Sequence, residues 1–158
     1  MPPTSELPRR AIFVCSGNIC RSPMAAFLFQ HAARQLNHPV AVLSMGTLDI
    51  TGRSAHPHAV HALADWDIDL SSHRSQGVSL GILGHADVII AMAEKHRVQL
   101  NQAAPHLRSR IRLMSELDPE RGAPADIADP VDGTLQDFIA CRDRLWRCIA
   151  HWTGIPHR

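Results

Sequence analysis

Apolar and polar positions along the chain follow two alternating patterns. Short runs rich in β-branched and other apolar residues have the length of strands, and they lie at 11–14, 40–45, 87–92 and 110–114. Longer amphipathic stretches have the spacing of helices, at about 23–35, 57–65, 94–101 and 134–152. This alternation is typical of βαβ units. The pattern therefore predicts an α/β fold around a parallel sheet, with the third strand apolar enough to be covered on both faces.

The first helix has a recognisable start. Ser22 is predicted as its N-cap residue, because a serine hydroxyl can accept a hydrogen bond from a backbone N–H of the first turn. Pro23 follows, and its φ angle is already suitable for a helix.

Composition indicates the number of domains and the overall charge of the protein. The chain has 158 residues, of which 45% are hydrophobic and 20% charged, as expected for one domain spanning 1–158. Its 16 Lys and Arg residues nearly balance its 15 Asp and Glu residues, which gives a formal net charge of +1. No overall field would attract nucleic acid or an anionic membrane. Any anion must therefore be bound by a local arrangement of residues.

The amino terminus and the cysteines indicate the cellular location of the protein. Residues 1–10 contain no apolar stretch long enough for a signal peptide, and no segment reaches membrane-spanning length. We therefore expect a cytoplasmic protein. Its four cysteines, Cys15, Cys20, Cys141 and Cys148, are then expected to be reduced thiols. Cys141 and Cys148 fall on one face of the last helix, where inert packing is expected.

The segment between the first strand and the first helix carries the clearest candidate chemistry. Cys15 ends the strand, and ligands of an open parallel sheet bind beyond the carboxyl ends of its strands. The loop that follows is short enough to wrap its amide N–H groups around one anion. Its predicted phosphate-binding residues are Ser16, Gly17, Asn18, Ile19, Cys20, Arg21 and Ser22. Gly17 and Asn18 both tolerate a positive φ, so this pair is expected to make the turn.

A reactive thiol is expected at Cys15. The helix amino terminus, the loop N–H groups and the Arg21 guanidinium would all favour its thiolate form. Arg21 also presents paired donors that match two oxygens of a phosphate. The segment therefore predicts attack of sulfur on phosphorus and a covalent phosphocysteine intermediate. Free phosphate or sulfate would bind in the same place.

An acid is needed to protonate the leaving group. Asp129 is the candidate general acid, since it lies in a long loop before the last helix and Pro130 stiffens the backbone after it. Asp126 and Asp132 are nearby alternatives. Attack of water on the phosphocysteine could use the same carboxylate as general base.

These residues resemble the low-molecular-weight protein tyrosine phosphatase family. The resemblance rests on "VCSGNICRSP" at the first strand and "DP" at Asp129, with "SMGT", "HPHAVHAL", "SSHRS" and "ADVIIAM" in order over nearly the whole chain. It implies a three-layer α/β fold with a four-stranded parallel sheet, in the spatial order second, first, third, fourth, and helices on both faces. It also implies Cys15 as nucleophile, Arg21 as phosphate binder and Asp129 as general acid, with no metal and no organic cofactor.

The resemblance assigns further roles around the loop. The residues that would support the loop by hydrogen bonds are Asn18, Ser44 and His73. Ser22 would steady the thiolate. Cys20 would form a reversible disulfide with Cys15 and so protect it against over-oxidation.

Specificity is expected to come from wall residues beside the loop, namely Ile19, Asp49, Ile50 and Val131. Relatives that prefer phosphotyrosine usually carry an aromatic residue where Val131 stands, and often a tryptophan where this chain has "TLDITG". The loss of these walls should weaken selection for an aryl ring, since a stacked aromatic pair contributes about 0.5 to 1.5 kcal/mol. Some bacterial relatives hydrolyse phosphoarginine and resemble "PHAVHAL", but they usually have threonine in place of Ile19. Ile19 therefore favours tyrosine.

The sequence thus predicts a phosphatase for phosphotyrosine-type phosphomonoesters, with a phosphorylated protein or a small aryl phosphate as substrate. Alternatives are a protein-arginine phosphatase, a thioredoxin-coupled arsenate reductase, and a phosphate-binding or redox-sensing module without turnover. The absence of cysteine between Arg21 and Ala140 disfavours the reductase, whose relay needs further thiols.

Two remaining features are not expected to contribute to the chemistry. Ala93 stands where the family tends to have aspartate, which would remove a cap from the third predicted helix. A zinc site is not expected at His56, His58 and His61, because no nearby cysteine or carboxylate completes a ligand set.

Overall fold

Four parallel strands form the centre of the structure, a computed structural model that describes residues 6–156. The strands are β1 (Arg10–Cys15), β2 (Ala41–Gly46), β3 (Val88–Ala91) and β4 (Ile111–Leu113). Their order is β2-β1-β3-β4, which confirms the parallel sheet and the strand order that the resemblance implied. Residues 1–5, part of the segment expected to lack a signal peptide, lie outside the described residues.

Helices lie on both faces of the sheet. They are α1 (Arg21–Gln35), α2 (Pro57–Ala64), α3 (Leu80–Leu83), α4 (Glu94–Ala103) and α5 (Leu135–Thr153). The strands and the four longer helices agree with the sequence pattern to within a few residues at their ends. The pattern missed α3, which is a single turn, and the 3-10 turns at Pro105–Arg110 and Met114–Leu117. Segments this short have no periodicity to detect.

Alternate residues of β1 face two separate hydrophobic cores. Phe13 lies in the core that includes residues of α1, α2 and α5, and its ring centroid is 5.7 Å from that of Phe29. Ile12 and Val14 lie in the other core, with residues of α3 and α4. The central strand is therefore buried on both faces, so packing on two sides holds its carboxyl end at Cys15 in place.

Side chains cap the two helices that border the carboxyl end of the sheet. In α5, Thr134 and Asp137 form a capping box in which each side chain accepts a hydrogen bond from the backbone N–H of the other. In α4, Ala93 occupies the cap position and provides no side-chain cap, as expected. The carboxylate of Asp126, from the loop before α5, accepts the Glu94 N–H at 2.8 Å instead. That loop is thereby tied to α4.

A buried carboxylate joins the same loop to α5. The Asp118 side chain is 1% exposed, and its oxygens accept hydrogen bonds from Arg147 at 2.7 and 2.9 Å and from Arg144 at 3.2 Å. Burial alone would raise the pKa of Asp118, but hydrogen bonds, led by those from Arg147, hold it below its ordinary value. Arg144 also donates to two backbone carbonyls of the loop, so the ion pair orders that segment.

Asp118→Asn is expected to lower the free energy of unfolding at neutral pH by about 3 kcal/mol, because two arginines lose their buried anionic partner. Since the folded-state pKa is depressed, this stabilisation is present above the ordinary value of 3.8 and is lost as the pH falls through the folded value. Urea unfolding of both proteins near neutral pH and in acid measures the difference.

Glu120→Gln is the matched control. Glu120 pairs with Arg147 at 2.8 Å but is 60% exposed, and a pair of this kind contributes about 0 to 1 kcal/mol. Equal losses in the two variants, or a gap between wild type and Asp118→Asn that stays constant on acidification, would contradict a specific role for the buried carboxylate.

Candidate active site

The loop after β1 begins at Cys15, which is buried at the carboxyl end of the central strand. The chain that follows β2 runs alongside this loop. The Thr47 N–H donates to the Cys15 carbonyl at 2.9 Å, and the Leu48 N–H donates to the Ser16 carbonyl at 3.0 Å. A Cβ atom at Gly46 would lie 2.6 Å from the Ser16 carbonyl oxygen, so this close approach requires glycine. Gly46 belongs to the "SMGT" segment of the resemblance, but this contact was not predicted, because it joins distant parts of the chain.

Asn18 lies at the middle of the loop with a φ of 56°, in the left-handed region. Its buried side-chain Nδ2 donates to Ser22 Oγ at 2.8 Å and to Ser44 Oγ at 2.9 Å. Its Oδ1 accepts the Gln76 N–H at 3.0 Å. Both ends of the amide are therefore satisfied, and these bonds stabilise a backbone conformation that few residues other than glycine adopt.

Gly17 differs from the expectation for this turn. Only Asn18 of the pair has a positive φ. A Cβ atom at Gly17 would meet only Ile19 Cγ1, at 3.7 Å, which is an ordinary contact. Of the pair expected to make the turn, the hydrogen-bonded asparagine alone therefore uses the left-handed region.

His73 and Gln76 hold the loop from outside. His73 Nε2 donates to the Asn18 backbone carbonyl at 2.7 Å. Burial lowers the pKa of His73, against the raising effect of this bond, so the ring is neutral near neutral pH and carries its hydrogen on Nε2. Gln76 Nε2 donates to the Ser44 carbonyl at 3.0 Å. The structure thus brings Asn18, Ser44 and His73 together and adds Gln76, which the sequence did not reveal.

Ser22 lies beside Cys15, the candidate nucleophile. Its Oγ is 2.9 Å from Cys15 Sγ. The prediction of Ser22 as the N-cap of α1 was wrong, because the helix begins at Arg21 and Cys20 occupies the cap position. The Ser22 hydroxyl accepts from Asn18, and its own hydrogen has two acceptors within reach, the Cys15 sulfur and, at 3.4 Å, the Met45 carbonyl.

Arg21 connects the loop to the candidate acid. The side chain is 4% exposed, its Nη1 donates to the Ile127 carbonyl at 3.1 Å, and its Nη2 lies 3.2 Å from Asp129 Oδ2. Asp129 Oδ1 accepts the Val131 N–H at 3.2 Å, so both carboxylate oxygens are oriented. Arg21 Nε is buried and has no hydrogen-bond partner among residues 6–156. A phosphate oxygen would satisfy this unpaired donor.

The two alternative acids are placed elsewhere. Asp126 caps α4 through the Glu94 N–H. Asp132 is exposed and does not line the cleft around Cys15, whereas Asp129 does. Of the three carboxylates, only Asp129 therefore lines the cleft around Cys15.

The cleft around Cys15 has a volume of about 230 Å³. Its floor contains residues of the loop, and the side chains that form its walls are Ile19, Leu48, Ile50, Arg53, Asp129 and Val131. Leu48 and Arg53 were not predicted. Asp49 was predicted as a wall residue but does not line the cleft. Its carboxylate lies against Gly77 instead, where a Cβ atom would come within 2.1 Å of Oδ1.

The other cysteines are poor nucleophiles. Burial raises the pKa of Cys20, Cys141 and Cys148 to about 12. Cys141 and Cys148 are buried in α5, as expected. Cys15 and Cys20 are both unpaired, and the disulfide that the resemblance implies stays a prediction.

Histidines do not form a metal centre in the described part of the chain. Among residues 6–156, no group of three or more His, Cys, Asp or Glu side chains could hold a metal ion. His56 occupies the N-cap of α2, where its Nδ1 accepts the His58 N–H at 3.0 Å, and its ring stacks on Phe138.

No helix among residues 6–156 is long and apolar enough to cross a bilayer.

Comparisons with known proteins agree with this geometry. The model of the low molecular weight phosphotyrosine protein phosphatase family matches residues 10–154. The chain is 34% identical to the protein-arginine-phosphatase of Bacillus subtilis over 134 residues, which cover 85% of this chain and 87% of that one. It is 30% identical over 141 residues to the low molecular weight protein-tyrosine-phosphatase Wzb of Escherichia coli, with coverage of 89% and 90%. A crystal structure of a YwlE mutant from Bacillus subtilis superposes with a TM-score of 0.85 at 30% identity and covers 92% of this chain and 96% of that one.

The family match spans the sheet, the loop after β1 and all of α5. It therefore includes every residue that lines the cleft. The chain belongs to the low molecular weight phosphotyrosine protein phosphatase family.

Proposed function

We propose that this protein hydrolyses phosphotyrosine-type phosphomonoesters through a phosphocysteine intermediate. The observation that carries the proposal is the convergence of Cys15, Arg21 and Asp129 on one cleft of about 230 Å³. The fixed conformation at Asn18 adds support, since a cradle of backbone N–H groups must be ordered before the phosphate arrives.

In the first step, the Cys15 sulfur attacks phosphorus and the bond from phosphorus to the leaving oxygen breaks. Asp129 donates a proton to that oxygen, so an alcohol or phenol departs rather than its anion. Arg21 and the loop N–H groups bind the phosphoryl oxygens, where they stabilise the charge of the transition state. In the second step, when the sulfur of Cys15 is the leaving group, the Ser22 hydroxyl donates a hydrogen bond to it.

In the second step, water attacks the phosphorus of the phosphocysteine. Asp129, now a carboxylate, accepts a proton from this water. The bond from sulfur to phosphorus breaks, inorganic phosphate is released, and the electron pair returns to Cys15. The same carboxylate thus serves both steps, which fits its position between the solvent and Arg21, with 38% of its side chain exposed.

The cleft walls support an aryl substrate. Four aliphatic side chains surround the mouth, namely Ile19, Leu48, Ile50 and Val131, and a phenyl ring buries apolar surface against them. Leu48 is 61% exposed, so it can lose considerable area to a substrate. These contacts replace the aromatic walls that many relatives use.

Arg53 favours phosphotyrosine over phosphoarginine. It is the only cationic wall residue besides the phosphate-binding Arg21, it is exposed, and its guanidinium forms no ion pair with another residue of 6–156. Phosphoarginine keeps a cationic guanidinium next to its phosphoryl group. Repulsion by the positive charge of Arg53 disfavours binding of this guanidinium, and so does its transfer from water to a cleft with aliphatic walls. One relative of comparable identity is named a protein-arginine-phosphatase, so the two substrates must be compared directly.

The cytoplasmic location is part of this proposal. The nucleophile has to be a free thiol, and the cytoplasm keeps thiols reduced.

Replacement of the acid should depend on the leaving group. Asp129→Asn is expected to lower kcat for phenyl phosphate by about 10² to 10⁴-fold, because phenolate is a poor leaving group without a proton. For p-nitrophenyl phosphate the loss should be clearly smaller, since nitrophenolate leaves more easily. Steady-state rates on the two esters give the comparison. Cys15→Ser should abolish turnover of both.

Asp132→Asn is the matched control, since it makes the same change on an exposed carboxylate next to the cleft. It should leave both rates within about twofold, as surface substitutions usually do. Equal losses of kcat on both esters in Asp129→Asn would contradict the assignment of Asp129 as general acid. Turnover by the Cys15→Ser variant would contradict the assignment of Cys15 as nucleophile.

Charge at the cleft mouth should set the substrate preference. The wild type is expected to have a higher kcat/KM for a phosphotyrosine peptide than for the matched phosphoarginine peptide. Arg53→Glu should narrow this ratio by about tenfold, because a carboxylate attracts the substrate guanidinium while both substrates share the phosphate. Arg108→Glu makes the same charge change just before β4, at the amino ends of the strands, and should leave the ratio unchanged. A wild type that prefers phosphoarginine would contradict the tyrosine assignment.

A further inference from the structure

A histidine of α4 reaches the loop around Cys15 from the side of β3. His96 is completely buried in the first turn of α4, and its Nε2 lies 2.8 Å from Ser16 Oγ. Ser16 follows the nucleophile directly and lines the cleft. Asn18 bonds to Ser44 of β2, so the two strands that flank β1 each lead to a side chain that holds the loop.

His96 is neutral near neutral pH. Burial lowers its pKa to about 4, and the positive charges of Arg21 and Lys95 act in the same direction. The negative charges of Asp126 and Asp129 act against it. These groups belong to α1, α4 and the loop before α5. A neutral imidazole carries one N–H, so one ring nitrogen donates and the other accepts.

The surroundings of the ring indicate which nitrogen carries the hydrogen. His96 Nδ1 is buried and has no hydrogen-bond partner among residues 6–156. A hydrogen there would be an unpaired buried donor, which is rare in proteins, whereas an unpaired acceptor is tolerated more often. The hydrogen therefore lies on Nε2, which donates to Ser16 Oγ. The serine hydroxyl then uses its oxygen as the acceptor and keeps its own hydrogen for another partner.

We propose that Ser16 donates this hydroxyl hydrogen to the phosphoryl group or leaving oxygen of the substrate, and that His96 is the positioning residue that orients it. The inference rests on the proposed function, because it names an additional donor of the same site. Ser16 Oγ forms no other side-chain hydrogen bond within residues 6–156. The hydroxyl therefore has one hydrogen-bond partner, His96, among these residues, and it belongs to a residue that lines the cleft.

Four proteins test this pair with p-nitrophenyl phosphate: the wild type, Ser16→Ala, His96→Leu and the double variant. Loss of a hydrogen bond to a charged group corresponds to about a tenfold change or more, so each single variant should lose about tenfold in kcat/KM. The double variant should lose no more than either single variant, because both changes remove one donor. Losses that multiply would overturn the proposal.

His96→Gln separates positioning from packing. The glutamine amide can place an N–H near the position of the imidazole Nε2 hydrogen, so this variant should recover kcat/KM to within about threefold of the wild type, compared with the loss of about tenfold expected from removing the bond. Recovery should require the hydroxyl, so His96→Gln combined with Ser16→Ala should behave like Ser16→Ala alone. A glutamine variant as slow as His96→Leu would overturn the role.

Inorganic phosphate gives a second readout that does not depend on turnover. Its inhibition constant should rise in Ser16→Ala and His96→Leu and stay near the wild-type value in His96→Gln. Urea unfolding of each variant shows whether a loss follows stability instead, in which case the proposal fails. His106→Leu, at an exposed histidine, is the control for surface effects. An inactive wild type would contradict the proposed function itself, whereas an active wild type with independent effects would contradict only the role of the pair.

Discussion

The conformation of Asn18 is the constraint on which the site depends. A loop that surrounds an anion with its N–H groups must turn sharply, and here a single non-glycine residue makes the turn at φ 56°. Such a conformation is costly by itself, and it persists only because the buried amide is satisfied at both ends. The hydrogen bonds that hold Asn18 also orient Ser22 next to Cys15. One buried side chain thus links loop shape to the surroundings of the sulfur.

The sheet supplies the second requirement, which is a fixed origin for the loop. Because β1 is covered by two cores, the position of Cys15 relative to β2 and β3 is set by packing on both faces. The loop can then be held by groups that belong to its neighbours. Gly46 allows the chain after β2 to approach it, and His96 reaches it from α4. The rigid strands therefore position the start of the loop, and contacts with neighbouring elements position the rest of it.

Local patterns in the sequence were sufficient for the secondary-structure elements, whereas the order of the strands came from the family resemblance. The strands and longer helices follow from periodicity. Cys15, Arg21 and the loop residues between them stand in one continuous segment, and the family resemblance also named Ser44 and His73. What the sequence did not reveal lies far away along the chain. Gln76, Gly46, Leu48, Arg53 and His96 meet the loop only after folding, and nothing near them in sequence indicates that contact. Asp49, which was predicted as a wall residue, does not line the cleft, whereas its neighbour Leu48 does.

The loop that carries Asp129 is anchored along its length. The Ile127 N–H donates to the Met92 carbonyl at 2.8 Å, Arg21 binds the Ile127 carbonyl, and Arg144 binds carbonyls further upstream. Moving the loop outwards would break these bonds together with the cap of α4. The carboxylate of Asp129 is thus positioned during folding, before any ligand binds. Catalysis by such a centre avoids the entropic cost of ordering a segment at each turnover, and its rate should be governed by chemistry rather than by gating.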